Sequence, residues 1–213
     1  DRLPIYLLKS NNIKLDEILK NQSTLQKRIK RLADIFISIA ILIASAPIIF
    51  LSSISIYSED GFPIFYKQTR SGLMSKHFDI FKLRTMKKNS EENGPQWASQ
   101  KDSRITRTGR VLRKLRFDEL PQLINVIRGE MSLIGPRPER PEIDILLAKE
   151  ISYYDYKYSV KPGLSGWAQV NYPYGASIED AKNKLSFDLF YIKNFSIILD
   201  FIIFIKTIKL ICN

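Results

Sequence analysis

Two adjacent carboxylates, Asp118 and Glu119, stand where a basic run gives way to a helical apolar repeat, in Arg113-Lys114-Leu115-Arg116-Phe117-Asp118-Glu119-Leu120-Pro121-Gln122-Leu123. That combination suits phosphate chemistry. A carboxylate at a helix N-terminus stays ionised because it faces the positive end of the helix dipole, so Asp118 is placed to attack phosphorus or to hold a divalent cation. Guanidinium forks match phosphoryl oxygens, and a helix N-terminus adds N–H donors. Upstream, Arg104, Arg107, Arg110, Arg113 and Arg116 recur every third residue. On a helix they draw a slowly drifting stripe that repels itself unless anions lie on it. The same spacing fits a solvated basic face ending in an ordinary N-cap. Two classes of function stay open on these residues: a phosphoryl-transfer enzyme and a basic nucleic-acid-binding module.

The elements that position these residues follow from local chemistry. Asp is a favoured N-cap, Glu suits a first turn and Pro121 is tolerated only near a helix start, so the spacing predicts a helix beginning at Asp118 and Glu119. Leu120, Leu123, Ile124 and Ile127 continue it until Gly129 stops it. Before it, the aromatic-rich segments 61–68 and 77–84 alternate and read as a small β-hairpin, with Lys82 and Arg84 on one strand face. The polar stretch Lys87 to Asp102 reads as an exposed loop. In Gly135-Pro136-Arg137-Pro138 the prolines hold an extended segment and fix the attitude of Arg137. Residues 141–160 resume a helical pattern with Tyr153, Tyr154, Tyr156 and Tyr158, which suit a membrane interface and a protein core equally. Lys161 to Asn171 is a glycine-bearing loop whose Trp167, Gln169 and Asn171 suit a nucleotide ledge.

Composition narrows the function. The 213 residues can bury one substantial core, and a net charge of +11 calls for an acidic partner such as a nucleotide, a nucleic acid or an anionic membrane surface. The single cysteine, Cys212, excludes an intrachain disulfide framework and a thiolate cluster. His77 is the sole histidine and makes no metal site alone. The uncharged run from Ile35 to Tyr57 is as long as a bilayer-spanning helix needs, roughly 20 apolar residues. Pro47 interrupts it, and Lys or Arg flanks both ends, which places both ends on the cytosolic side. A re-entrant helix hairpin satisfies both features better than a span. The run argues against a soluble DNA-binding protein. Residues 177–194 read as a helix, and residues 195–212 as a very apolar one interrupted by Asp200, Lys206 and Lys209, suited to lying in a membrane interface.

The order of motifs resembles the bacterial sugar transferase family of monotopic polyprenyl-phosphate phosphoglycosyl transferases. The resemblance rests on basic residues before a Pro-kinked apolar helix, Phe-Lys-Leu-Arg-Thr-Met at 81–86, Leu-Arg-Phe-Asp-Glu-Leu-Pro-Gln-Leu at 115–123, Gly-Pro-Arg-Pro at 135–138, and Lys-Pro-Gly-Leu-Ser-Gly-Trp-Ala-Gln-Val at 161–170. It covers the chain from about Lys27 onward and is closest to the catalytic end of longer members. It implies an irregular, helix-rich α/β domain with a re-entrant membrane helix hairpin, interfacial amphipathic helices and a small β-hairpin. Residues 1–26 would be a linker or the remnant of an upstream region, 27–58 the re-entrant helix, and 59–213 the catalytic domain on the cytoplasmic face of the bacterial inner membrane.

The implied reaction moves a phosphosugar from a UDP-sugar to undecaprenyl phosphate with release of UMP, initiating an exopolysaccharide, O-antigen or related glycan. By resemblance Asp118 is the nucleophile and a Mg2+ ligand, and Glu119 its acid/base partner. Arg113 and Arg137 hold phosphate, with Lys82, Arg84, Lys161 and Gln169 as further substrate-binding candidates. Lys161 stands where many members carry Arg, and Ala46-Pro47 where a Ser-Pro pair is common. The partners implied are the UDP-sugar, undecaprenyl phosphate and an anionic membrane surface, without nucleic acid; self-association stays open. The alternative is a catalytically silent, membrane-anchored scaffold of the same fold.

Overall fold

The computed structural model describes residues 23–90, 102–173, 175 and 177–212. The expected linker up to residue 22, and most of the expected polar loop, lie outside the described residues.

The first helix, α1 (Thr24–Asp60), is a single element that runs through Pro47. Its inward face is polar: Asp34, Ser38, Ser45 and Ser52 are buried, with Ile56. Its outward face carries exposed Phe36, Ile43, Phe50 and Leu51. That is the reverse of a soluble amphipathic helix, and an apolar surface of this extent marks contact with a membrane or partner. Pro47 leaves the Ile43 carbonyl without its helical donor. The Ser45 hydroxyl bonds the neighbouring Leu42 carbonyl instead, at 3.3 Å.

Both ends of α1 are fastened to the same block. At one end, Arg31 donates to the Val126 and Ile127 carbonyls at 2.6 and 2.7 Å. At the other, Glu59 accepts from the Arg107 and Thr108 backbone N–H groups at 2.7 and 2.8 Å, capping the next helix.

The hairpin pairs β1 (Phe65–Ser71) with β2 (His77–Leu83), antiparallel from Phe65↔Leu83 to Ser71↔His77. Helix α2 (Arg107–Lys114) follows, N-capped by Thr106, whose side chain accepts from the Gly109 N–H. A Cβ on Gly109 would run into the Thr85 carbonyl, so glycine is what lets α2 lie against the end of the hairpin. The arginine stripe is therefore short. Arg104 precedes α2 and pairs with Asp102, while Arg116 follows it with a left-handed backbone.

A 3-10 helix over Phe117–Gln122 carries the two carboxylates, and α3 (Leu123–Arg128) begins only after Pro121, with Gly129 as its left-handed C-cap. The expectation of an Asp N-cap on an α-helix is corrected here. Pro121 has no N–H to give and crowds the carbonyl four residues back, so the chain takes the tighter turn first. Buried Asn125 locks this segment to the hairpin: its Oδ1 accepts from Phe81 N–H at 3.2 Å and its Nδ2 donates to the Asp79 carbonyl at 2.7 Å.

Strand β3 (Ser132–Ile134) pairs in parallel with β4 (Gly163–Ser165), which sets the Gly-Pro-Arg-Pro segment against the Lys-Pro-Gly loop. Between them lie α4 (Pro141–Glu150) and a 3-10 turn over Tyr154–Ser159. Tyr154 and Tyr158 are core residues, so packing and not a membrane interface explains them. A short helix α5 (Trp167–Asn171) leads to α6 (Ile178–Lys193), which opens with a Ser177–Asp180 capping box, and to α7 (Ile197–Cys212).

The main core gathers Ile134, Leu147, Tyr154, Trp167, Leu189 and Ile203. Helix α7 repeats the inversion of α1. Its Asp200 turns inward to Lys30 and Tyr191, both at 2.8 Å, and its Lys206 to Asn171 and the Trp167 ring, while Ile198, Phe201 and Leu210 face outward.

Candidate active site

The 3-10 turn presents Asp118 and Glu119 from a tightly buried position, 7% and 8% exposed. Glu119 is held from two directions: Lys82 of β2 donates to its Oε1 at 3.0 Å, and Arg137 to the same oxygen at 2.7 Å. Arg137 comes from the proline-fixed segment after β3. Two separate elements thus converge on one carboxylate oxygen of a third.

The neighbouring carboxylates are tuned in opposite directions. Burial pushes Asp118 above the ordinary carboxylate value, and the charge of Glu119 adds to the push; Lys82, Arg113 and Arg116 oppose it. Burial works against Glu119 too, yet Arg137 and Lys82 hold it well below its ordinary value. The charge of Glu119 in turn raises Arg137, against the partial desolvation of a side chain that is still 39% exposed. Lys82 is lowered by burial, with Arg137 and Arg70 adding to that effect against Glu119 and Asp118. Pairs of carboxylates pushed apart in this way divide labour in acid–base and nucleophilic chemistry.

Asp118 Oδ1 is buried and has no hydrogen-bond partner among the described residues. An orphaned carboxylate oxygen suits an incoming phosphorus centre or a cation. Among the described residues no group of three or more His, Cys, Asp or Glu forms a metal cage. Magnesium does not require one, since one or two carboxylates together with substrate phosphates and waters complete its shell. The donor set around Asp118 fits that mode.

Arg113 stands beside the turn, its Nε bonded to Thr85 Oγ1 at 2.8 Å. Gln169 bonds the Leu164 carbonyl through Nε2 at 3.0 Å and leaves Oε1 buried without a partner. Glu119, Arg137 and Gln169 line a cavity of about 550 Å³. Its floor is charged, with Glu139, Lys157, Lys184 and Asp188, and its mouth is apolar, with Ile41 of α1 and Phe204, Ile208 and Ile211 of α7.

Asp118, Lys82 and Arg113 do not themselves line this cavity. Two further candidates turn to other partners. Arg84 falls one residue past β2, and its guanidinium turns to the end of α1, bonding the Gly61 carbonyl at 2.7 Å and Asp60 Oδ2 at 3.3 Å. The strand face shared with Lys82 ends where the strand ends. Lys161 sits with Arg31 over Gly129. Burial lowers its pKa and nearby Arg31 adds to this, against Asp34, so its surroundings are those of the α1 N-terminal end. Trp167 is corrected as a base-stacking ledge: it is buried and stacks on Phe190, with centroids 5.9 Å apart.

Sequence reasoning passed over Thr85, Asn125, Glu139, Lys157 and Asp188. Thr85 was within reach, since it belongs to the 81–86 motif; the others carry no local signal.

The chain matches the model of the bacterial sugar transferase family over residues 25–213 and belongs to that family. It is 40% identical to a UDP-N-acetylgalactosamine-undecaprenyl-phosphate N-acetylgalactosaminephosphotransferase of Aeromonas hydrophila, across 98% of this chain and 52% of the relative. A UDP-glucose:undecaprenyl-phosphate glucose-1-phosphate transferase of Caulobacter vibrioides is 38% identical across 84% of this chain and 68% of its own length. One of the same description from Escherichia coli is 34% identical across 88% and 41%. The chain thus spans about half the length of the Aeromonas relative.

Proposed function

We propose that this chain transfers a sugar 1-phosphate from a UDP-sugar to undecaprenyl phosphate, releasing UMP, through a covalent intermediate on Asp118. The observation that carries this reading is the buried pair of adjacent carboxylates tuned in opposite directions, of which Glu119 lines a cavity that also has exposed apolar side chains of the last helix in its wall. Its relatives' names point to the same substrates.

In the first half-reaction a carboxylate oxygen of Asp118 attacks the phosphorus that bears the sugar. The bond from that phosphorus to the bridging oxygen breaks, and UMP leaves with the electron pair. In the second, a phosphate oxygen of the lipid attacks the same phosphorus and the aspartyl–phosphorus bond breaks, restoring the carboxylate. No net proton is consumed.

Arg137, Lys82 and Arg113 neutralise the phosphoryl oxygens at both stages. Glu119 holds Arg137 and Lys82 in place; as substrate phosphate draws on those cations, its affinity for a proton rises, which suits it to an acid/base role. Magnesium would be held by Asp118 together with substrate phosphates and would supply further positive charge against the diphosphate.

The membrane reading is that α1 is re-entrant and that the domain sits on the cytoplasmic face. A spanning helix would separate its ends by a hydrocarbon layer of about 30 Å, yet Arg31 and Glu59 both bind within residues 107–127 of one block. The outward apolar faces of α1 and α7 support the same seating.

The test is release of UMP from a panel of UDP-sugars by the full-length protein in lipid, with undecaprenyl phosphate and magnesium. Release that requires the lipid phosphate and disappears in Asp118→Asn is expected. Release unaltered by Asp118→Asn would refute the role given to this residue, and a folded protein inert toward every donor would favour the silent scaffold.

A further inference from the structure

Helix α6 turns one stripe to the cavity: Ala181, Lys184, Leu185 and Asp188, spaced at three, four and seven residues. Asp188 is the unusual member. It is 5% exposed, and among the described residues it meets Lys157, Lys184 and Glu139 only as charges at a distance, with no hydrogen bond to its carboxyl. Its oxygens therefore open on the cavity, where water or a ligand must complete them.

Its surroundings point to the kind of ligand. Lys157, 6% exposed, spends one donor on the Tyr154 hydroxyl at 3.2 Å and lies 4.8 and 5.2 Å from the Tyr154 and Tyr158 ring centroids. Glu139 lines the same floor, two residues beyond Arg137 on the proline-fixed segment. Side chains two apart on extended chain share a face about 7 Å apart. With phosphate at Arg137, the group next to Glu139 is whatever that phosphate carries.

We propose that the floor formed by Asp188, Lys157 and Glu139 receives the hexose of the donor, Asp188 accepting hydrogen bonds from its hydroxyls, and that these contacts select which sugar is transferred. This rests on the phosphoglycosyl transferase reading above. A neutral ring with several hydroxyls, each a donor and an acceptor, matches a surface of two carboxyls and two ammonium groups. Uracil offers only one N–H to two acceptors, whereas the Glu139 carboxylate is already paired with Arg70 at 3.4 Å and Asp188 is left to accept from hydroxyls. Burial pushes Asp188 up to about 7 even against Lys157 and Lys184, in keeping with a group whose partners arrive with the ligand.

The experiment takes the donor that the wild-type protein uses best, its deoxy analogues and its epimers, and compares Asp188→Asn and Ala181→Met. Ala181 lies two turns away on the same stripe, so Met there narrows the floor from a half-buried position and keeps the fold if Asp188→Asn does not. Inhibition by UMP is measured in parallel.

For Asp188→Asn, kcat/KM on the preferred donor should fall at least tenfold to a hundredfold, the range for a lost polar contact to substrate, and barely change for the analogue lacking the contacted hydroxyl. Ala181→Met should raise KM for the donor, and UMP inhibition should stay unchanged in both. Equal losses on every analogue, unchanged sugar preference in both variants, or weakened UMP inhibition would each overturn the assignment. Wild-type protein that releases UMP from no donor would instead remove the reading beneath it.

Discussion

Glu119 and Asp188 line the same cavity and are buried to nearly the same degree, yet they are opposite kinds of carboxyl. Lys82 and Arg137 bond Glu119 directly, and its proton affinity is driven down. Asp188 has lysines near it but none bonded to it, and burial drives its affinity up. Burial alone therefore does not decide the state of a carboxyl; direct ion pairing does. The paired carboxylate is pre-organised for charge, which the proposed phosphoryl transfer would use, and the unpaired one is free to accept from a neutral ligand as proposed above.

Removing the pairing should produce the largest effect. Glu119→Gln takes from Lys82 and Arg137 the carboxylate that both bond and leaves them only the more distant charges of Asp118 and Glu139. Because the Arg137 side chain is 39% exposed, the loss falls below the ~3–5 kcal/mol of a fully buried pair. We expect kcat to fall by about 10²–10³-fold and the thermal midpoint to drop. Arg137→Lys keeps the charge but not the fork, and should recover only part of the activity. Activity equal to wild type in Glu119→Gln would erase the contrast between the two carboxyls.

The pH dependence of stability separates them next. The raised pKa of Asp188 means that the folded state holds its proton more tightly than the unfolded chain, so this group costs stability as pH rises from about 4 to about 7. Glu119 acts in the other direction: its contribution is present above the unfolded carboxylate value and is lost as pH falls below it. Melting curves across pH 4–8 should show a shallower decline in Asp188→Asn than in wild type. Lys157, Lys184 and Glu139 face Asp188 and remain in both proteins, which leaves Asp188 as the source of the difference.

Gly109→Ala should come third. Its methyl group meets the Thr85 carbonyl, so α2 must shift and carry Arg113 away from Thr85. Strain of this kind costs roughly 1–3 kcal/mol, and donor KM should rise more than kcat falls. The smallest effect belongs to Lys161→Ala, with kcat within about twofold of wild type, because Lys161 sits by Arg31 and Gly129.

What the sequence made legible follows the range of the interactions. The Asp118–Glu119 pair, the hairpin, the Gly129 stop and the Ser177 start of α6 rest on neighbours in the chain, and the structure has each of them. The convergence of Lys82, Glu119 and Arg137 joins residues 37 and 18 apart and depends on how β2 and the β3 segment pack. Strand period placed Arg84 beside Lys82, but the strand ends at Leu83. Asp188 was invisible for a similar reason. Its spacing on α6 marks a helix face, and only packing decides whether that face meets core, water or a cavity.

The central claim is that Asp118 carries the sugar phosphate before the lipid arrives. Isotope exchange tests it directly: labelled UMP is incubated with unlabelled UDP-sugar and the lipid-reconstituted protein, with undecaprenyl phosphate left out. Label entering UDP-sugar in wild type, and not in Asp118→Asn, is the expected result. An active enzyme that exchanges label only when undecaprenyl phosphate is present would contradict the covalent intermediate and point to direct transfer between the two substrates.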